Sequence, residues 1–170
     1  TNCEAILEAC ERGQIPGRVV IVISDVPGAR ILERARKRNI PFRVVGPSRF
    51  KTKLEPELET QVAGWLRDAG VQLVALAGYM RVVKAPLLEA FAGRIMNIHP
   101  SLLPAFPGLH AWKQALEHGV KVSGCTVHFV NEGVDAGPII LQQTVPVFDN
   151  DTPESLHARI QVAEHTVYPE

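Results

Sequence analysis

The 170-residue sequence has no excess of either charge, since 18 Lys and Arg balance 18 Asp and Glu. It therefore lacks the electrostatic footprint that a nucleic acid or an anionic membrane selects, and small polar or anionic molecules remain the open class of partner. Cysteine is scarce. Cys3, Cys10 and Cys125 are odd in number and show no CxxC spacing, which argues against a disulfide framework and a cysteine zinc site. A reducing compartment follows, the cytoplasm first and an organelle second. No apolar run is long enough to span a bilayer and no charged-then-apolar leader opens the chain, so a soluble protein is expected. The histidines, among them His110, His118, His128 and His165, have no HxH or HExxH spacing, and no metal is expected. Internal repeats and low-complexity segments are also missing. What is present, 46% hydrophobic and 21% charged residues, suits one globular domain with a substantial core.

Short apolar runs alternate with amphipathic ones, the pattern of a mostly parallel sheet flanked by helices. Helices are expected over Asn2 to Arg12, Gly28 to Arg38, Leu54 to Ala69, Pro86 to Phe91 and His110 to His118, and another opens at Thr152 with Glu154 close behind. Strands are expected over Arg18 to Ser24, Phe42 to Val45, Val71 to Ala77 and Gly93 to Ile98. Val122 to Val130 and Ile139 to Val145 are two more, joined by the turn-prone Asn131 to Gly137, which predicts an antiparallel pair at the sheet edge.

Three places carry chemistry. Asn97 and His99 stand two residues apart at the end of a strand, so their side chains share a face, and Pro100 and Pro104 force the chain out of the sheet directly after them. Asp135 lies in a glycine-flanked loop, where a carboxylate beside an imidazole would fix its orientation and raise its pKa, while a carboxamide N–H can stabilise an oxyanion. Together the trio suits addition to a carbonyl. Thr1 and Asn2 begin a helix, whose free N–H groups favour a phosphate. Each has a structural alternative: a strand-end amide, a hydrogen-bonded loop histidine, an aspartate in a turn and an ordinary helix cap.

The segments Gly78-Tyr79-Met80-Arg81, Asn97-Ile98-His99-Pro100-Ser101-Leu102-Leu103-Pro104, Gly124-Cys125-Thr126-Val127-His128-Phe129-Val130, Val134-Asp135-Ala136-Gly137 and Glu164-His165-Thr166-Val167-Tyr168-Pro169 resemble, in order and spacing, the phosphoribosylglycinamide formyltransferases. The Ser-Leu-Leu-Pro stretch and the Asn, His, Asp trio are shared by the wider formyl-tetrahydrofolate family, including methionyl-tRNA formyltransferases and deformylases. Asn-Ile-His-Pro, Thr-Val-His-Phe-Val and Glu-His-x-x-Tyr-Pro are more like the purine-biosynthetic branch.

That resemblance implies a three-layer Rossmann-like α/β fold, an open, mostly parallel sheet with an antiparallel edge strand. It implies formyl transfer from 10-formyltetrahydrofolate, a cosubstrate, to the amine of 5′-phosphoribosylglycinamide, without metal. A deformylase using the same trio, or a non-catalytic folate- or nucleotide-binding fragment, are the alternatives. By resemblance Asn97, His99 and Asp135 are catalytic, with His128 and Thr126 a supporting shell. Thr1, Asn2, Gln161, Val162, Ala163 and Glu164 would bind the acceptor. Lys53, Met80, Arg81, Val82, Val83 and the loop Asn131, Glu132, Gly133, Val134, Asp135, together with Asn97, would bind folate, Lys53 standing where the family has an arginine. The partners implied are small molecules rather than nucleic acid or membrane, with monomer and weak homodimer both open. Family members begin with a strand and a glycine turn before the Thr/Ser-Asn matched by Thr1-Asn2, and continue beyond Tyr168-Pro169. The single domain is thus expected to lack its first strand and its C-terminal end, at a cost to phosphate affinity and stability but not to the trio.

Overall fold

The computed structural model describes residues 1–170. In chain order the elements are α1 (Asn2–Glu11), β1 (Val22–Ser24), α2 (Arg30–Lys37), β2 (Phe42–Val44), α3 (Pro56–Asp68), β3 (Val74–Leu76), α4 (Ala85–Ala90), β4 (Ile95–His99), α5 (Ala111–Glu117), β5 (Val122–Phe129), β6 (Ile139–Pro146) and α6 (Pro153–Val167). Every element anticipated from periodicity is present, though several strands are shorter. The strand expected from Arg18 begins at Val22, because only Val22 to Ser24 find partners, in the parallel register Val22↔Phe42 to Ser24↔Val44.

Strand order is β3-β4-β5-β6 in the larger sheet, with β1-β2 hydrogen-bonded separately. β3 and β4 run parallel, β5 opposes β4, and β6 opposes β5. The expected antiparallel pair therefore forms the sheet edge, with two refinements. The reversed strand, β5, sits one place in and β6 is outermost. The open sheet is also interrupted, since β1 and β3 share no ladder and each keeps an edge unpaired.

Helices cover both faces. Alternation along β4 sends Met96 and Ile98 to a core that includes Cys125, Val127, Leu156 and Ile160, beneath α5 and α6. Ile95 faces the other way, into a core with Val62, Leu66, Leu87 and Phe91 from α3 and α4. Asn97 and His99 share that second face. α6 starts with a reciprocal cap in which Thr152 Oγ1 accepts from Ser155 N (3.2 Å) and Ser155 Oγ accepts from Thr152 N (3.0 Å). Two glycines set the β5–β6 contact. A Cβ on Gly124 would lie 2.0 Å from the Gln143 carbonyl oxygen, and one on Gly137 1.7 Å from that of Phe129.

The far end of α6 is fastened by Tyr168, 4% exposed, whose hydroxyl is 2.8 Å from the Leu76 carbonyl and 3.2 Å from that of Met96. One phenol thus bridges the carboxyl end of β3 and the start of β4. Tyr168→Phe leaves both buried carbonyls without this donor and should lower unfolding free energy by about 1–3 kcal/mol, read from urea denaturation.

Candidate active site

The β4–β5 ladder assembles the site. Its register sets Asn97 opposite His128 and His99 opposite Thr126. Cross-strand partners point to one face, so four polar side chains converge where β4 ends. Asn97 Nδ2 lies 3.5 Å from His128 Nε2, while His128 Nδ1 is 3.0 Å from the Phe129 carbonyl, which assigns the proton to Nδ1 and the acceptor role to Nε2. His99 (4% exposed) and His128 (2%) are both buried.

Asp135 arrives from the β5–β6 connection. Its Oδ2 is 3.3 Å from His99 Nδ1 and its Oδ1 is 3.7 Å from His128 Nε2, so one carboxylate faces two imidazoles. Gly108 N–H donates to Oδ2 at 2.8 Å. On the opposite edge of the His99 ring, Nε2 is 2.9 Å from the Phe106 carbonyl. A carbonyl only accepts, so Nε2 carries a proton, and an imidazolium alone can donate to both neighbours at once. Asp135 (φ +50°) and Phe106 (φ +54°) are both left-handed, a conformation that costs non-glycine residues roughly 1–3 kcal/mol and persists where surrounding contacts enforce it. The arrangement comprises a proton donor with a fixed ring, a carboxylate to balance it and an amide N–H beside them. That is equipment for stabilising a tetrahedral oxyanion and moving a proton.

The family described as Formyl transferase matches residues 1–170. The chain belongs to this formyl transferase family. It is 43% identical over 169 residues to the phosphoribosylglycinamide formyltransferase of Bacillus subtilis, covering 99% of this chain and 86% of that protein. It is 46% identical over 171 residues to the trifunctional purine biosynthetic protein adenosine-3 of Drosophila melanogaster, covering 99% of this chain but only 12% of the fly protein. The crystal structure of glycinamide ribonucleotide transformylase 1 from Symbiobacterium toebii superposes with a TM-score of 0.93 at 55% identity, covering 99% of this chain and 78% of that one.

The other segments singled out from the formyl transferase resemblance are placed unevenly. Asn2 and Glu164 meet, the Asn2 amide donating to Glu164 Oε2 at 2.9 Å, while Asn2 Oδ1 is buried with no partner. Ala163 is buried beside them in sequence, but Val162 is exposed and Gln161 reaches His157, 3.4 Å away. Thr1 caps α1, its hydroxyl accepting from Glu4 N and from Arg34 Nη1. An open cleft of about 630 Å³ between α1 and the end of α6 includes Thr1 but none of the trio.

Arg81 is occupied. It pairs with Asp25 at 2.6 Å and donates to the carbonyls of Phe50 and Lys53, tying down residues 48–53, and Val82 N adds a bond to Thr52 O at 2.8 Å. The Lys53 ammonium lies over the Phe50 ring, 4.8 Å from its centroid. Val83 is buried with Leu87 and Phe91, so its side chain serves the core, whereas Met80 is 70% exposed. In the 131–135 turn, Asn131 Oδ1 accepts from Gly133 N, and Glu132 and Val134 are exposed. Thr126 is fully buried, its hydroxyl accepting from Leu103 N (3.0 Å) and donating to Ser101 O (2.7 Å).

Three participants escaped sequence reasoning. The Phe106 carbonyl and the Gly108 N–H are main-chain groups that every residue possesses, and only the loop's Pro and Gly content hinted at special backbone there. The third, Gln142, donates from Nε2 to Leu103 O at 2.9 Å and to Thr126 Oγ1 at 3.0 Å.

Burial pushes the Glu164 carboxyl above its ordinary value, and the Asn2 amide only partly offsets this. A carboxyl raised in the folded state binds its proton more tightly there than in the unfolded chain. Its contribution to stability is therefore present below the unfolded value, near 4.5, and is lost as pH rises through the folded one. Glu164→Gln should flatten the fall in stability above pH 4.5, measured as the urea midpoint against pH; an unchanged slope would count against it.

Proposed function

We propose that this formyl transferase moves a formyl group from 10-formyltetrahydrofolate to the amine of 5′-phosphoribosylglycinamide. The observation that carries the reading is the Asp135 carboxylate facing two imidazoles, with His99 at 3.3 Å and His128 at 3.7 Å, beside the Asn97 amide. The chain's likeness to curated phosphoribosylglycinamide formyltransferases supports the choice of acceptor.

Each residue then has a task. Asn97 donates an N–H to the oxygen that gains charge when the amine adds to the formyl carbon. His99, its ring held by the Phe106 carbonyl, adds positive charge and delivers a proton to the departing folate nitrogen. Asp135 balances that charge, keeps the His99 ring aligned and takes up the proton that the amine releases. His128 orients the Asn97 amide, and Thr126 supports the turn after His99. No step in this scheme calls on a metal ion.

Binding is assigned by the same reading. Thr1, Asn2 and residues 161–164 hold the acceptor, with Glu164 accepting from ribose hydroxyls, while residues 80–83, 131–135 and Lys53 line the folate site. Arg81, engaged by Asp25, shapes that wall instead of contacting folate through its guanidinium. No helix is long and apolar enough to cross a membrane, and the proposed setting is cytoplasmic one-carbon metabolism.

The deciding assay follows absorbance of the deformylated folate with and without phosphoribosylglycinamide. Release that needs the acceptor is expected; release without it would replace the reading with a hydrolytic deformylase. Asn97→Ala, His99→Ala and Asp135→Ala should each raise the barrier by about 3 kcal/mol, roughly 10²–10³-fold in kcat, with modest change in KM. Near-normal turnover in Asp135→Ala would remove that residue from the mechanism.

A further inference from the structure

We propose that Gln142, on the outermost strand, is a positioning residue for His99, acting through the Thr126 hydroxyl and the turn that follows His99. The kinetic part of this proposal rests on the formyl-transfer reading above. The residues form a continuous row across three strands: His99 pairs with Thr126 on β5, and Thr126 pairs with Gln142 on β6. Side chains in such a row share one face.

The hydrogen bonding along the row is complete. Gln142 Nε2 has two protons and two acceptors, Leu103 O at 2.9 Å and Thr126 Oγ1 at 3.0 Å. The Thr126 hydroxyl has one proton, given to Ser101 O at 2.7 Å, and two lone pairs, filled by Gln142 and by Leu103 N at 3.0 Å. Ser101 N in turn donates to His99 O at 2.9 Å. Both ends of the 101–103 turn are therefore fixed by one hydroxyl, and that hydroxyl is itself aimed by one carboxamide.

The turn matters because of what it leads to. A few residues further along the same loop, Phe106 presents the carbonyl that holds His99 Nε2, and Gly108 presents the N–H that holds Asp135. Phe106 sits at φ +54°, a strained setting that a loosened turn would let relax. Removing the Gln142 donors leaves Leu103 O without this partner and frees Thr126 to rotate. The Phe106 carbonyl then no longer defines the His99 ring.

The test uses three variants of the intact chain. Gln142→Met keeps the length without donors, Gln142→Glu keeps the shape and replaces the donors by acceptors, and Gln142→Lys restores N–H donors on a longer stem. We expect Met and Glu to lower kcat by about 10–100-fold, the scale of a misplaced catalytic group, with KM for both substrates within about twofold, and Lys to recover part of the loss. The imidazole ¹⁵N resonances of His99, assigned by their loss in His99→Gln, should shift from the Nε2-protonated pattern in Gln142→Met. Unchanged ring resonances, or a kcat within about twofold of the parent in both Met and Glu, overturn the proposal. If the parent chain itself shows no acceptor-dependent turnover, the formyl-transfer reading falls, and the His99 resonances still decide whether Gln142 positions the ring.

Discussion

Everything at the site depends on the antiparallel register between β4 and β5. A parallel sheet alone would line the ends of its strands with residues from successive crossovers. Reversing β5 brings the middle of one strand beside the end of another, so that Asn97 faces His128 and His99 faces Thr126. A slip of one residue would turn His128 and Thr126 to the opposite face, into the core that holds Cys125 and Val127. The hydrophobic pattern that makes such a slip costly is thus also what keeps the polar groups together.

Two carboxylates, the half-buried Asp135 and the buried Glu164, are handled differently. Asp135 accepts from the Gly108 N–H and faces the His99 Nδ1 at 3.3 Å, so one of its oxygens is met by donors on two sides. Glu164 has the Asn2 amide and a pKa raised by burial, and the neighbouring Asn2 carbonyl oxygen is buried with no partner. The first arrangement fixes the carboxylate in one orientation, which the proposed mechanism asks of Asp135. The second has hydrogen-bonding capacity left over, which the proposed acceptor site would use for ribose hydroxyls.

Much of this was legible in the amino-acid sequence, for reasons that particular residues make plain. Asn97 and His99 could be placed on one face because strand alternation is strict, and the prolines at 100 and 104 marked where the strand had to end. Asp135 could be recognised as a carboxylate in a turn, but its distance from His99 depends on the β5–β6 connection folding back, which no local pattern encodes. Residue-level resemblance supplied Thr126 and His128. It also supplied Arg81, whose guanidinium the fold commits to Asp25 and two carbonyls. The Phe106 carbonyl and the Gly108 N–H were illegible because main-chain groups carry no residue signature. Gln142 looked like any polar residue on a solvent-facing edge strand.

The close approach at Gly124 and Gly137 bears on how this chain can vary. At either position even a methyl group would overlap a carbonyl oxygen of the neighbouring strand, so the main chain itself would have to move. Exposed helix positions such as Arg30, Arg36 and Lys37 on α2 face no such obstacle. Substitutions should therefore accumulate readily on the helical shell, while these two points act as rivets that pass through every functional descendant of the sequence unchanged.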